Sequence, residues 1–206
     1  MLAERRELLR RALVLGYFTV AWNVVEGVVA VVGAAASGSR ALLGFGLDSF
    51  VESLSAGVLI WRLRAERMDP ERAEQVEHQA VRVIGLTFFA LAAFVAVESV
   101  RSLAAANEPD SSPVGIAITV VSLIVMPVLA RQKRAVGVAM GSQAVKADST
   151  QTRACVYLSV VVLVGLALNT LFGWWWADSV AALIVVALLL REGWDAFHAE
   201  SVDDCC

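Results

Sequence analysis

Apolar residues along the chain fall into six long runs that are separated by short polar or charged stretches. The runs lie at 12–34, 41–61, 83–103, 113–130, 147–172 and 174–190. Each run has roughly 17–25 residues, the length at which an α-helix crosses the core of a bilayer. The first run is longer than the h-region of a signal peptide and contains Asn23 and Glu26, so we interpret it as a retained helix. The pattern predicts an all-α, polytopic membrane protein with six transmembrane helices.

Basic residues are unevenly distributed between the two ends of these spans. One side of the predicted membrane has only Arg40 and Arg101. The other side has most of the remaining lysines and arginines: Arg5, Arg6, Arg10, Arg11, Arg62, Arg64, Arg67, Arg72, Arg82, Arg131, Lys133, Arg134, Lys146 and Arg191. Because cytoplasmic loops collect Lys and Arg, both termini are predicted to be cytoplasmic. We expect a six-helix transmembrane domain over residues 1–194 and a short cytoplasmic tail over 195–206.

Composition supports a membrane protein and excludes several other classes. Hydrophobic residues make up 58% of the 206 residues and charged residues 18%, with a mean hydropathy of +0.69. Soluble domains have about 45–50% apolar residues and about 25% charged residues. The net charge is −3, and the chain has no basic block of the kind that binds nucleic acid. Two histidines and three cysteines are too few for a zinc-finger array or a disulfide scaffold.

Two carboxylates lie inside the second predicted span. Asp48 and Glu52 are four residues apart, so they share one face of the helix. A charged side chain deep in a bilayer is costly, and two neighbouring carboxylates also repel each other. A bound divalent cation or protons would offset this cost. The alternative is that both carboxyls are protonated and bonded to neighbouring helices.

A second polar pair opens the fifth span. Gln151 and Cys155 are also four residues apart, and they offer a carbonyl oxygen and a thiol, which as thiolate is a strong zinc ligand. At about 1.5 Å per residue, antiparallel helices place Glu52 and Cys155 at similar depth. The alternative for Cys155 is an ordinary buried cysteine that fills space in the core. Glu26 in the first span and Asp148 near the start of the fifth are weaker candidates for the same cavity. The sequence assigns no role to Cys205 and Cys206.

Residues 41–55 and 147–155, with Ala177, Asp178 and Ser179 at the head of the sixth span, resemble the cation diffusion facilitator superfamily. The resemblance covers most of the chain. It implies six spans with cytoplasmic ends, four metal ligands in two pairs on spans two and five, and exchange of zinc for protons by alternating access.

Carried over residue by residue, the resemblance places metal ligands at Asp48, Glu52, Gln151 and Cys155. The first pair is close to the family's His or Asp followed by Asp. The second pair departs from the family's His followed by Asp in both residue types. The family's cytoplasmic C-terminal domain is not expected here, since few residues follow span six. The chain is therefore expected to be a short, divergent member.

The expected function is proton-coupled efflux of a divalent metal cation, zinc above others, across the plasma (inner) membrane. The expected partners are the metal ion, protons and the lipid bilayer, with a homodimer formed through the alanine-rich third span, and no resident cofactor is expected. The alternative is a membrane scaffold or regulatory protein that keeps the fold without transport. An enzyme is not expected, because the chain has neither a Gly-x-Ser-x-Gly nor a His-Glu-x-x-His motif.

Overall fold

A computed structural model describes residues 2–37, 40–68, 73–105, 113–174 and 176–198. Over these residues the chain forms six α-helices, one for each predicted apolar run. They are α1 Leu2–Ser37, α2 Arg40–Met68, α3 Ala73–Ala105, α4 Pro113–Met140, α5 Gln143–Phe172 and α6 Ala177–His198. The all-helical fold predicted from the sequence is confirmed.

Four of these helices are long and apolar enough to cross a membrane. Within the described residues they are the segments Glu4–Ser37, Leu42–Met68, His78–Ala105 and Pro113–Met140, which belong to α1 through α4. Their exposed surface is rich in valine and isoleucine, such as Val32 and Ile124. In an unpartnered soluble protein so much exposed apolar surface would be unfavourable. The chain is an integral membrane protein, and the count of six spans with both termini cytoplasmic stays a prediction.

The helices pack as a group of four and a pair. In the group, α1 contacts α2 and α4, while α5 contacts α4 and α2. In the pair, α3 packs along α6; α3 also contacts α2 and α5, and α6 also contacts α5. Four helices therefore surround one common interior, and α2 and α5, which contain the predicted ligand pairs, are neighbours in it.

A two-residue turn joins α4 to α5 and fixes their relative height. Gly141 has a φ of 67°, and the amides of Gly141 and Ser142 donate to the carbonyls of Val138 and Gly137 at 3.2 and 3.1 Å. This pattern is a Schellman C-cap. The Ser142 hydroxyl then accepts from the Val145 amide at 3.2 Å, which caps the start of α5. The result is a tight antiparallel hairpin.

Glycines bring α1 and α2 close together. A methyl group placed on Gly46 would lie 3.1 Å from the Gly27 carbonyl oxygen and 2.9 Å from the side chain of Val31. Without side chains at Gly27 and Gly46 the two backbones approach closely. Glu26, which precedes Gly27, is thereby held against the face of α2 that contains Asp48 and Ser49.

The structure corrects one interpretation of the basic residues. The fourth apolar run ends at residue 130, and Lys133 was counted among the cytoplasmic charges that follow it. Instead, α4 continues to Met140, and Lys133 is only 1% exposed. Its neighbours Arg131 and Arg134 are exposed, as expected. Lys133 therefore belongs to the interior of the bundle and carries no information about orientation.

Candidate functional site

Four carboxyl side chains lie buried in the interior shared by α1, α2, α4 and α5, and we call them the acidic cluster. They are Glu26 of α1, Asp48 and Glu52 of α2, and Asp148 of α5, each at most 1% exposed. Two of them are tied to the hydroxyls of α2. Ser49 donates to Glu26 Oε2 at 2.9 Å, and Ser55 donates to Asp148 Oδ1 at 3.4 Å. The helices thus align the four acids along the bundle interior.

One ammonium group lies at one end of the acidic cluster. Lys133 Nζ is 2.7 Å from Asp148 Oδ2 and 3.9 Å from Glu52 Oε1. It also donates to Thr152 Oγ1 at 2.8 Å, and the Thr152 hydroxyl donates to Glu52 Oε1 at 2.5 Å. This network links α2, α4 and α5. Because the acids outnumber the ammonium, the described cluster would have a negative charge with all five groups ionised.

The two members of the predicted span-five pair face different neighbours. Cys155 is fully buried, and its thiol lies close enough to Asp48 and Glu52 to interact electrostatically with both. This placement agrees with the depth expected from the sequence. Gln151 is also buried, but its carbonyl oxygen accepts from the Thr87 hydroxyl of α3 at 3.3 Å. Gln151 is therefore turned toward α3.

Several buried polar atoms have no hydrogen-bond partner among the described residues. They include both carboxylate oxygens of Asp48, one oxygen each of Glu26 and Glu52, and both amide atoms of Asn23. Native structures leave few such atoms unpaired, and those that remain point to an ion, water or functional strain. Within the acidic cluster, most of these unpaired oxygens belong to Glu26 of α1 and to Asp48 and Glu52 of α2.

The ligand atoms do not converge on one point. Within the described parts of the chain, no three or more His, Cys, Asp and Glu side chains are arranged to hold a metal ion together. Asp48, Glu52 and Cys155 lie close together, while Asp148 is paired with Lys133. The roles of Asp48, Glu52, Gln151, Cys155, Asp148 and Glu26 as metal ligands stay predictions. Cys205 and Cys206 lie outside the described residues.

Sequence reasoning missed Lys133 and Thr152. The signal for Lys133 is its position on the buried stripe of α4, where Met126, Ala130, Lys133, Val136 and Met140 follow one another at intervals of three or four residues. The signal for Thr152 was its spacing of four residues from Asp148, which places both on one face of α5.

Comparison with known proteins identifies the family of this helical fold. A family model described as the cation efflux transmembrane domain matches residues 17–202. The chain belongs to the cation efflux family. The match includes α1 from residue 17 onward, all of the other five helices and every residue of the acidic cluster, so the resemblance noted from the sequence is confirmed.

Individual relatives are distant and longer than this chain. An uncharacterized transporter of Methanocaldococcus jannaschii is 24% identical over 86% of this chain and 64% of its own length. The cation-efflux pump FieF of Salmonella arizonae is 27% identical over 79% of this chain and 57% of its own length. An uncharacterized transporter of Synechocystis is 29% identical over 77% of this chain and 53% of its own length. The chain thus spans roughly half to two-thirds of the length of these relatives. The family is one of transporters, in agreement with the expectation that the chain is not an enzyme.

Proposed function

We propose that this protein transports divalent metal cations across a membrane through the interior shared by α1, α2, α4 and α5. The observation that carries the proposal is the acidic cluster, in which four buried carboxyls accompany one buried ammonium within the described residues. Buried acids of this number are costly in a bilayer unless a cation or protons compensate them. Membership of the cation efflux family supports the same function.

Asp48 and Glu52 are the proposed central ligands, and Cys155 is the proposed third. Among the described residues Asp48 interacts with the Cys155 thiol and accepts no hydrogen bond from an N–H or O–H group, so a cation could bind there without displacing a strong donor. Cys155 lies beside both carboxyls. Gln151, Asp148 and Glu26 are proposed as supporting ligands that complete the site as helices shift.

Loading a cation requires a rearrangement around Lys133. The ammonium lies near Glu52 and is paired with Asp148, so an incoming cation of like charge is repelled from that end. We infer that metal binding draws Glu52 toward Asp48 and Cys155 and leaves Lys133 with Asp148. Such a change in helix contacts is a route to alternating access, with α4 and α5 moving as one hairpin.

Zinc is the proposed substrate, and protons are the proposed counter-ions. A set of carboxylates with one thiolate suits zinc and cadmium better than magnesium. Metal ligands must lose their protons before they bind, so metal and protons compete for the same groups. That competition is what an antiporter uses. We place the protein in the plasma (inner) membrane, and we propose a homodimer.

A second candidate is a membrane scaffold that keeps the fold without transport. The observation that favours it is the Lys133 ion pair, because an internal ammonium can neutralise part of the acidic cluster permanently. This candidate predicts that purified protein binds no divalent cation in a manner dependent on Asp48.

The test is metal transport by purified protein in vesicles that enclose a metal-sensitive dye. Zn²⁺, Cd²⁺ and Mn²⁺ are supplied outside, with and without a pH gradient. The variant is Asp48→Asn with Glu52→Gln, which removes both charges with little change of shape. The matched control is Glu98→Gln, which removes an acid of α3 that instead pairs with Arg101.

We expect wild type and the control to transport Zn²⁺ and the double variant to be inactive. Collapse of the pH gradient should slow wild-type transport if protons are exchanged. Equal rates for wild type and the double variant would overturn the proposal. No transport by wild type, with no metal binding in calorimetry, would favour the scaffold.

A further inference from the structure

A basic groove lies on the outer surface of the hairpin formed by α4 and α5. Its volume is about 190 Å³, and we call it the arginine groove because three guanidinium groups line it. Arg131 and Arg134 come from α4, and Arg153 comes from α5. Pro127 and Tyr157 form its apolar end.

None of the three arginines forms an ion pair with a described residue. Arg153 donates one hydrogen bond, from Nη2 to Thr150 Oγ1 at 2.9 Å. Its Nε is buried with no partner in the described structure. Three like charges along one groove repel each other, so an anion bound among them would be favourable. Guanidinium groups suit phosphate in particular, because their parallel N–H groups match its oxygens.

The arginine groove lies next to exposed apolar residues of both α4 and α5. Arg131 and Arg153 lie about ten residues on either side of the Gly141 turn, hence at the same height of the hairpin. Just beyond them, on the side away from the turn, the exposed residues are apolar. These are Ile124 and Val128 of α4 and Val160 and Val164 of α5. The groove therefore lies where three guanidinium groups meet an exposed apolar surface.

We propose that the arginine groove binds the phosphate of an anionic phospholipid whose acyl chains run along that apolar surface. One molecule would contact both α4 and α5, with its headgroup near the three arginines and its chains beside the valines and isoleucine. Basic pockets between transmembrane helices bind anionic headgroups by this combination of charge and apolar contact. Tyr157, which is half exposed, lies at the height where aromatic side chains favour the interface.

The proposal is tested by native mass spectrometry and thermal unfolding of the full chain in a mild neutral detergent. The added probes are phosphatidylglycerol, phosphatidylcholine and soluble glycerol phosphate. The test variant replaces Arg131, Arg134 and Arg153 with Gln. The matched control replaces Arg6, Arg10 and Arg11 of α1 with Gln, which changes the charge equally at residues that do not line the groove.

We expect wild type and the α1 control to retain phosphatidylglycerol and to unfold at higher temperature when it is added. The groove variant should lose the bound lipid and most of this stabilisation. Phosphatidylcholine should bind at least tenfold more weakly, and glycerol phosphate should not stabilise any of the proteins. Arg153→Lys, which keeps the charge but not the parallel N–H groups, should show intermediate retention if the triple variant fails to fold.

Two results would overturn the proposal. One is equal retention of phosphatidylglycerol by wild type and the groove variant, or by wild type and Arg153→Lys where the triple variant does not fold. The other is equal stabilisation by glycerol phosphate, which would show that the groove binds a free phosphate rather than a lipid.

Discussion

Lys133 of α4 and Asp148 of α5 form a buried ion pair across the hairpin, with Nζ 2.7 Å from Oδ2. Lys133 also donates to Thr152, which donates in turn to Glu52. If the proposed cation binds at the acidic cluster, it and the ammonium of Lys133 are alternative partners for the same carboxylates. The proposed function therefore predicts that this lysine links the stability of the cation-free protein to its affinity for metal.

Replacement of Lys133 with Met should lower the stability of the cation-free protein and increase its response to zinc. Loss of one partner from a buried ion pair costs about 3–5 kcal/mol, because the other charge remains buried. In the variant a divalent cation can compensate Asp148 and Glu52 without competition from the ammonium. We expect a lower unfolding temperature without metal and a larger rise on addition of Zn²⁺ than in wild type. Thermal unfolding in detergent measures both.

Lys133→Arg is the control for this prediction, because it keeps the positive charge. Its response to zinc should stay near that of wild type, although its larger headgroup will cost some stability. An equal zinc response in wild type, Lys133→Met and Lys133→Arg would show that the ammonium does not compete with the metal.

Replacement of Cys155 distinguishes a role as metal ligand from a role in core packing alone. Cys155 lies among Ala30, Phe45 and Met126 in an apolar cluster and also beside the carboxyls of Asp48 and Glu52. If its thiolate binds zinc, Cys155→Ala should weaken binding by about tenfold or more, and Cys155→Asp should shift the preference toward harder ions such as Mn²⁺. Calorimetry with Zn²⁺, Cd²⁺ and Mn²⁺ at several pH values measures this.

Binding through the thiol must also displace its proton, so wild-type affinity for zinc should rise with pH more steeply than that of Cys155→Ala. Unchanged affinity, ion preference and pH dependence in Cys155→Ala would assign Cys155 to packing alone.

The sequence predicted the helices better than it predicted the site, and Lys133 shows why. Six apolar runs specify six helices, since length and hydropathy are local properties. By hydropathy the fourth run ends at residue 130, which groups Lys133 with its exposed neighbours. Only helical periodicity distinguishes it, since Lys133 continues the stripe of Met126 and Ala130. Its partners lie on α2 and α5, and that contact depends on the height set by the hairpin turn.

Gln151 shows what helical spacing alone does not predict. Its spacing of four residues from Cys155 placed both on one face of α5, and both are buried. Spacing does not determine which neighbouring helix a long side chain reaches, and Gln151 bonds to Thr87 of α3. The depth of Cys155 was predictable because rise per residue is fixed, whereas the direction of a flexible amide depends on its partners.

Gly141 should be sensitive to substitution for conformational reasons alone. Its φ is 67°, and a Cβ atom there would meet nothing within 4 Å. Gly141→Ala should therefore cost about 1–2 kcal/mol from the left-handed backbone, without a steric clash. Gly141→Asn should cost less, because Asn tolerates this conformation. Chemical unfolding in mixed micelles measures the free energy of unfolding, which should decrease from Gly to Asn to Ala at this position. A more stable Ala variant would contradict the turn geometry.

Gly46 should be sensitive for steric reasons, and the same helix provides its control. A Cβ atom on Gly46 would lie 2.9 Å from Val31 Cγ2 and 3.1 Å from both Ala30 Cβ and the Gly27 carbonyl oxygen. The backbone of α1 cannot yield as a flexible side chain can, so Gly46→Ala must push α1 and α2 apart. Overpacking of this kind costs about 1–3 kcal/mol.

Separation of these helices should also weaken the hydrogen bond from Ser49 to Glu26, which holds α1 against the acidic cluster. Gly57→Ala, also in α2, meets nothing within 4 Å and should gain about 0.5–1 kcal/mol from helix propensity. We expect opposite signs for the two variants in unfolding measurements, and lower zinc transport for Gly46→Ala only. A stable, fully active Gly46→Ala protein would show that close contact between α1 and α2 is not needed to position Glu26.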